Sequence, residues 1–228
     1  SKLAILVGDF LYAKTCQTLV EDGDPDILAA ISESIRAMAE GEVLQLTRSF
    51  DPEMSESTYL EVIGGKTSSL LAAAAEAGAI LGGVTRSERR AVREYGWQLG
   101  LAFQLVDDAL DYAGSERDLG KAPLTDAAEG KLTLPLIATL KRCSTGERDA
   151  ISSLLKDFAL QSAAGRVPER ESVLRVAECV ARHHGVESTL SRAQQLGALA
   201  RAQIEPFVDC EAKQAMLAFA DFVVGRHS

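Results

Sequence analysis

The sequence predicts an all-α protein that forms a single domain over residues 1–228. Apolar residues recur at helical spacing along almost the whole chain, and no segment shows the alternation that is typical of a strand. Apolar residues make up 46% and charged residues 25% of the chain, which is the balance of a globular protein. At 228 residues the chain is long enough to bury a core of its own.

Capping residues mark the first predicted helices. The first helix covers residues 2–20, which are largely apolar. Asp24 suits an N-cap and Pro25 suits a first helical turn, so a second helix is predicted from there to about Arg48. The short turn at 165–170 reads as a connection between helices and not as a domain linker.

Serines begin the next two predicted helices. Ser55 or Ser57 opens the third, and Ser87 opens the fourth, which reaches Tyr112. Adjacent glycines at 64–65 predict a kink or a close contact in the third helix, because glycine weakens a helix interior. Shorter helices are predicted at 134–142, 146–160, 168–184, 186–206 and 210–225.

Composition excludes some classes of function. A net charge of −9 argues against nucleic acid as a partner, because basic residues would have to neutralise the phosphates. No apolar run is predicted to span a bilayer, so no transmembrane segment is expected. The four cysteines form no CxxC pair, and none is expected to lie near a histidine at metal-ligand spacing, which predicts free thiols in a reducing cytosol. His183 and His184 are interpreted as a helix C-terminus and not as a metal site.

The segment 99–112 carries the most informative pattern. With 3.6 residues per turn, one side of its predicted helix holds four polar side chains, Gln104, Asp107, Asp108 and Asp111. Three carboxylates on one stripe repel each other, so an otherwise apolar helix needs a compensating cation. Mg²⁺ prefers oxygen ligands and completes its shell with water and phosphates. A stripe alone is also typical of a solvated helix face, and the neighbouring residues decide between the two.

A polar loop follows this stripe. Lys121 lies ten residues after Asp111, close enough in sequence to fold back over it. Asp126 and Lys131 come next, and Thr133 is predicted to cap a helix that has a proline in its first turn. Carboxylates that face two lysines predict a site for Mg²⁺ and a polyanion, because ammonium groups contact the remaining phosphate oxygens.

Several strings together resemble the trans-isoprenyl (polyprenyl) diphosphate synthases. FQLVDDALDY, with LGK and EGKLTLPLI downstream, is similar to the family's second aspartate-rich region. ILVGDFLYAKT at 5–15, AEGEVLQL at 39–46 and VIGGKTSSL at 62–70 are also similar to that family. The resemblance covers nearly the whole chain, is strongest from residue 1 to about 140, and favours long-chain members such as octaprenyl diphosphate synthase.

The resemblance implies a helical bundle of the isoprenoid synthase type with a central apolar cavity. The implied reaction condenses isopentenyl diphosphate head to tail with an allylic diphosphate to give an all-trans polyprenyl diphosphate. A long chain for a quinone side chain is favoured, and a short-chain farnesyl or geranylgeranyl product is the alternative. A homodimer in the cytoplasm, with peripheral membrane contact for product release, is also implied. The alanines at 72–75 either allow close helix contact or leave room for the growing chain.

Three sets of site residues are predicted. The ligands of Mg²⁺ are Asp107, Asp108 and Asp111. The side chains that bind substrate diphosphate are Lys66, Lys121 and Lys131. The catalytic residues are Lys66, Thr67 and Gln104, and the resemblance implies that the kink at Lys66 and Thr67 turns backbone carbonyls toward a developing carbocation.

Two features depart from the family's pattern. Leu124 stands where the loop usually has glycine, so a different backbone path is expected there and Asp126 has no assigned role. The family's first aspartate-rich motif would precede Ser1, so the chain is expected to lack the opening helices. Alternative functions are a non-catalytic regulatory subunit of a heteromeric prenyl synthase, another isoprenoid enzyme, or a helical interaction protein. Lys66 and Thr67 argue against the other isoprenoid enzymes.

Overall fold

The computed structural model describes residues 2–113 and 124–226, and within them the regular elements are all helical, as predicted. The α-helices are α1 (Lys2–Asp22), α2 (Pro25–Thr47), α3 (Glu56–Ile63), α4 (Ser69–Leu81), α5 (Arg86–Ala113), α6 (Thr125–Ala128), α7 (Leu134–Arg142), α8 (Thr145–Ala163), α9 (Arg170–Arg182), α10 (Gly185–Ile204) and α11 (Glu211–Gly225). A π-helix, Gly64–Ser68, joins α3 directly to α4.

Side-chain caps hold the starts of α2 and α3 where the sequence predicted them. Asp24 Oδ1 accepts hydrogen bonds from the backbone N–H groups of Asp26 and Ile27, at 2.8 and 3.2 Å. Ser55 Oγ accepts from the backbone N–H of Thr58 at 3.0 Å. These bonds satisfy N–H groups that have no partner inside their own helix.

The start of α5 differs from the prediction that Ser87 opens it. Thr85 is the capping residue, since its Oγ1 accepts from the backbone N–H of Glu88 at 3.3 Å. Glu88 Oε2 accepts in return from the backbone N–H of Thr85 at 2.8 Å, which completes a capping box. Thr133 precedes α7 as predicted, but its side chain makes no capping hydrogen bond.

Helix α5 forms the centre of the bundle. It packs most extensively against α10 and α4, and α11 and α7 also contact it. Ala102, Leu105, Val106 and Ala109 on this helix are completely buried. A Cβ atom on Gly100 would lie 2.5 Å from Ser68 Cα, so the small residue lets α5 approach the π-helix closely. The helix that carries the acidic stripe is therefore a rigid core element.

Helix α1 lies on the outside of the described bundle, and none of its residues is buried. An 18-residue window within it has a mean hydropathy of 1.3, so by length and composition it is apolar enough to cross a membrane. The sequence prediction that no apolar run has this length was therefore wrong. Core helices of soluble proteins and signal sequences meet the same criterion, and this property alone assigns α1 to none of the three.

The described cysteines are all free thiols, as predicted. One part of the cysteine interpretation was wrong. Cys179 and His183 are four residues apart at the end of α9, which places them on the same face of that helix and at a spacing that metal ligands use.

Candidate active site

The π-helix places Lys66 and Thr67 where the chain changes its helical repeat. The sequence predicted a kink or a close contact at residues 64–65, and the structure has a close contact there, within a π-helix at Gly64–Ser68 that is wound more widely than an α-helix. A Cβ atom on Gly65 would lie 2.8 Å from the Ala37 carbonyl oxygen, so α2 contacts the π-helix backbone directly.

Helix α2 orients the Lys66 side chain. The Lys66 Nζ lies 2.7 Å from Gln45 Oε1 and 2.8 Å from Glu42 Oε2. Both partners come from the AEGEVLQL string, which the sequence analysis noted without assigning a role to its polar residues. The lysine side chain is 37% exposed, so its ammonium group remains accessible from solvent.

A continuous chain of hydrogen bonds joins the π-helix to the acidic stripe. Thr67 Oγ1 donates to Gln104 Oε1 at 2.9 Å, and Gln104 Nε2 donates to Asp108 Oδ1 at 2.8 Å. The Tyr59 hydroxyl donates to Asp108 Oδ2 at 2.6 Å. Three of the predicted site residues therefore meet in one network, and Tyr59 is a member that the sequence analysis missed.

Asp108 differs from the adjacent Asp107 because it is buried, with 4% of its surface exposed. Burial raises the pKa of this carboxyl to about 7, although the hydrogen bonds from Tyr59 and Gln104 oppose the shift. Both of its oxygens already accept a hydrogen bond. This environment suits a residue that positions Gln104 and the stripe better than one that faces a ligand.

Asp107 occupies the solvent side of the stripe, with 42% of its side chain exposed. The Arg226 guanidinium lies 2.8 Å from Asp107 Oδ1 and is stacked over the Phe103 ring, 4.1 Å from the ring centroid. A cation therefore already lies beside Asp107, and it comes from the segment that follows α11. Arg226 is not among the site residues that the sequence predicted.

Asp111 lies at the end of the stripe and is 1% exposed. Its Oδ2 accepts a hydrogen bond from the backbone N–H of Asp126 at 3.2 Å, and its carbonyl accepts from the N–H of Leu124 at 3.0 Å. Leu124 has a φ of +67°, the left-handed conformation that favours glycine. The backbone at 124 thus adopts the conformation that a glycine there would take most easily.

Lys131 is held by two acidic side chains of its own loop. Lys131 Nζ lies 2.7 Å from Glu129 Oε2 and 3.2 Å from Asp126 Oδ1. These carboxylates raise the pKa of Lys131, against the effect of partial burial, which opposes the charge. The predicted contribution of Lys121 lies outside the described residues.

The donor set of the stripe consists of carboxylate oxygens, which is the ligand chemistry that Mg²⁺ takes in proteins. Asp107 is accessible from solvent, and it already accepts a positively charged group. The residues present therefore fit a hard divalent cation, with Asp107 as the most accessible of the three carboxylates.

Comparison with known proteins gives consistent matches. The family profile described as polyprenyl synthetase matches residues 1–168. The octaprenyl diphosphate synthase of Haemophilus influenzae is 35% identical over 224 residues, which are 98% of this chain and 65% of that protein. The short chain isoprenyl diphosphate synthase of Methanothermobacter thermautotrophicus is 34% identical over 98% of this chain and 67% of its own length. The chain thus spans about two thirds of these curated relatives.

Solved structures agree with the same fold. The polyprenyl synthase from Caulobacter crescentus CB15, solved in complex with calcium and isoprenyl diphosphate, is 38% identical with a TM-score of 0.90. The match covers 98% of this chain and 66% of that one. The all-α isoprenoid synthase fold that the resemblance implied is therefore confirmed.

Proposed function

The chain belongs to the polyprenyl synthetase family, and we propose that it is a trans-prenyltransferase that joins isopentenyl diphosphate head to tail to an allylic diphosphate. The observation that carries this proposal is the hydrogen-bonded chain from Thr67 through Gln104 to Asp108. These hydrogen bonds link the lysine–threonine pair to the acidic stripe. The proposed diphosphate-binding group and the proposed cation-binding group are therefore held in one unit.

We propose Mg²⁺ as the cation, with Asp107 and Asp111 as ligands and Asp108 in support. The oxygen donors and the accessibility of Asp107 support this choice. When bound, Mg²⁺ would neutralise the charge that develops on a leaving diphosphate. To bind the metal, Asp107 would have to give up its ion pair with Arg226. Arg226 would therefore neutralise Asp107 when no metal is bound.

Lysine side chains would hold the substrate phosphates. Lys66 is directed by Glu42 and Gln45 and keeps an accessible ammonium group, so it can bind an oxygen of the allylic diphosphate. Lys131 would exchange its contact with Glu129 for a phosphate oxygen, and Lys121 is proposed as a third phosphate ligand.

The reaction would proceed by ionisation of the allylic carbon–oxygen bond, and the diphosphate would leave with the bonding electrons. The double bond of isopentenyl diphosphate would then attack the allylic cation. Loss of a proton, with the departed diphosphate as base, would restore a neutral chain that is one isoprene unit longer. Fixed donors and dipoles lower such a barrier only where water is excluded, and the buried environment around Ala102, Leu105 and Asp108 supports this condition.

We further propose a long-chain product and a cytoplasmic homodimer with peripheral membrane contact at product release. The relative named as an octaprenyl diphosphate synthase supports the long product. The Methanothermobacter relative, which is named for short chains, favours the alternative of a farnesyl-length or geranylgeranyl-length product. The apolar side chains of α1 are exposed, which supports the homodimer, because a second copy of the protein could bury them.

A chain-elongation assay tests the activity. The full-length protein is incubated with Mg²⁺, isopentenyl diphosphate and an allylic diphosphate, and products are separated by mass spectrometry. Asp107→Ala should reduce elongation by about 100-fold or more, because a metal ligand is lost at the reacting centre. Asp221→Ala is the matched control, since Asp221 on α11 also pairs with an arginine at 2.7 Å, but that arginine is Arg201 of α10. Full elongation by Asp107→Ala, or no elongation by the unaltered protein, would overturn the proposal.

A further inference from the structure

Three side chains of the metal-ligating type converge away from the acidic stripe. Glu147 comes from the first turn of α8, and Cys179 and His183 come from the last turn of α9 and its cap. One ligand atom from each, a carboxylate oxygen, the thiol sulfur and a ring nitrogen, all lie within 4.8 Å of one another. None of these residues takes part in the prenyl-transfer site described above.

The carboxylate of this cluster is fixed in position before any ion binds. Glu147 Oε2 accepts hydrogen bonds from the backbone N–H and the hydroxyl of Ser144, at 3.1 and 2.9 Å, in a capping box that begins α8. The same oxygen lies 3.2 Å from His183 Nε2. The Arg182 guanidinium lies 3.1 Å from the other oxygen, Oε1. Two of the three ligand atoms therefore already lie within 3.2 Å of each other.

One ligand of the cluster is buried and the other two are partly exposed to solvent. Cys179 is 2% exposed, whereas the side chains of His183 and Glu147 are 23% and 29% exposed. An ion could therefore enter from solvent past the imidazole and the carboxylate and bind the buried sulfur last. A solvent molecule would complete a four-coordinate shell, as in zinc sites that keep one open position.

We propose that Glu147, Cys179 and His183 bind a transition-metal dication of the zinc class. A set of one sulfur, one nitrogen and one oxygen donor favours a borderline-soft ion, whereas Mg²⁺ prefers oxygen alone. On binding, the Cys179 thiol proton is released to solvent and a metal–sulfur bond forms. A neutral His183 would offer the lone pair of Nε2 to the ion with its own proton on Nδ1, so the imidazole releases no proton.

Such an ion would link the start of α8 to the end of α9, close to the end of α7. Arg142, at the end of α7, already reaches this region, with Nη2 2.7 Å from Ser188 Oγ and Nη1 3.4 Å from the His183 carbonyl oxygen. Linking α8 to the end of α9 at this point would stabilise the folded state by mass action. The ion would act on stability and not on the chemistry of prenyl transfer.

Cobalt spectroscopy tests the proposal. The chelator-treated protein is titrated with Co²⁺, which substitutes for Zn²⁺ and gives a thiolate-to-cobalt charge-transfer band when sulfur is a ligand. We expect one equivalent to give this band, Zn²⁺ to abolish it by displacement, and a large excess of Mg²⁺ to leave it unchanged. Cys179→Ser and His183→Gln should each lose the band, and Glu147→Gln should weaken binding at least tenfold.

Matched variants keep the test decisive. Cys16→Ser removes a thiol elsewhere and Asp107→Asn alters the acidic stripe, and both should retain the band. His183 is partly exposed, so His183→Gln remains informative if Cys179→Ser disturbs the core. Absence of a charge-transfer band in the unaltered protein, or its persistence in folded Cys179→Ser, would overturn the proposal.

Discussion

The Arg226 guanidinium lies 2.8 Å from Asp107 Oδ1, although the two residues are 119 positions apart in the chain. The same group donates to the Phe103 carbonyl oxygen at 3.3 Å and covers the Phe103 ring. The arginine side chain is only 17% exposed, so it is held against α5 and does not sample solvent freely. The segment after α11 therefore covers the most accessible carboxylate of the stripe with a positive charge.

Replacement of Arg226 is expected to strengthen the binding of divalent metal. A cation that binds Asp107 must displace the guanidinium, and an ion pair that is partly exposed contributes up to about 1 kcal/mol. Arg226→Gln should therefore lower the Kd for Mn²⁺ or Mg²⁺ by roughly fivefold, as measured by isothermal titration calorimetry. Arg201→Gln removes the same charge from the pair with Asp221 and should leave the Kd unchanged. Equal or weaker binding by Arg226→Gln would show that the arginine does not compete with metal.

Loss of the Tyr59 hydroxyl is expected to destabilise the fold. Tyr59→Phe leaves Asp108 Oδ2 buried without its hydrogen bond, which costs about 1–3 kcal/mol. The free energy of unfolding in urea measures the effect. Tyr12→Phe makes the same chemical change on a residue that is 55% exposed, and should change stability by less than about 0.5 kcal/mol. Equal stabilities for the two variants would contradict the role given to the Tyr59 bond.

Sequence alone located the helices because their signals are local. Asp24 and Ser55 cap helices through residues two or three positions away, so their effect is contained in the neighbouring sequence. The start of α5 was predicted wrongly, because Thr85 and Ser87 are both suitable caps and only the structure distinguishes them. Helical geometry also placed Gln104 on the same side as the aspartates, since that relation depends only on the helical repeat.

The solvent exposure of each site residue could not be predicted from local sequence. Asp107 and Asp108 are neighbours in sequence, yet one is accessible and the other is buried. Their partners Tyr59 and Arg226 are 49 and 119 residues distant, so the difference comes from tertiary packing. The sequence therefore predicted which residues form the stripe but not which of them is accessible from solvent.

A methyl group at Gly65 is expected to disrupt the contact between α2 and the π-helix. The new Cβ would lie 2.8 Å from the Ala37 carbonyl oxygen, and overpacking of backbone in this way costs about 1–3 kcal/mol. Gly78→Ala is the control, because nothing lies within 4 Å of a Cβ there and α4 should gain about 0.5–1 kcal/mol. Chemical denaturation should thus show opposite signs for the two variants. Stabilisation by both would mean that the contact at Gly65 is not tight.

Backbone strain at Leu124 is expected to make the glycine variant more stable than the alanine variant, which is the reverse of the usual order of stability. The side chain is 8% exposed, so Leu124→Ala and Leu124→Gly both lose about 2–5 kcal/mol of packing. Alanine retains the unfavourable left-handed conformation at φ +67°, whereas glycine adopts it freely. Leu124→Gly should therefore be more stable than Leu124→Ala by about 1 kcal/mol in urea denaturation.

The same pair of substitutions at Leu101 isolates the conformational contribution at Leu124. Leu101 is 7% exposed within α5, so truncation there also removes buried packing. In a helix interior, glycine makes a protein less stable than alanine does by about 1 kcal/mol. Leu101→Gly should therefore be less stable than Leu101→Ala. If glycine were the weaker variant at both positions, the left-handed conformation of Leu124 would carry no measurable strain. Opposite orders at the two positions would show that residue 124 is where a glycine is favoured.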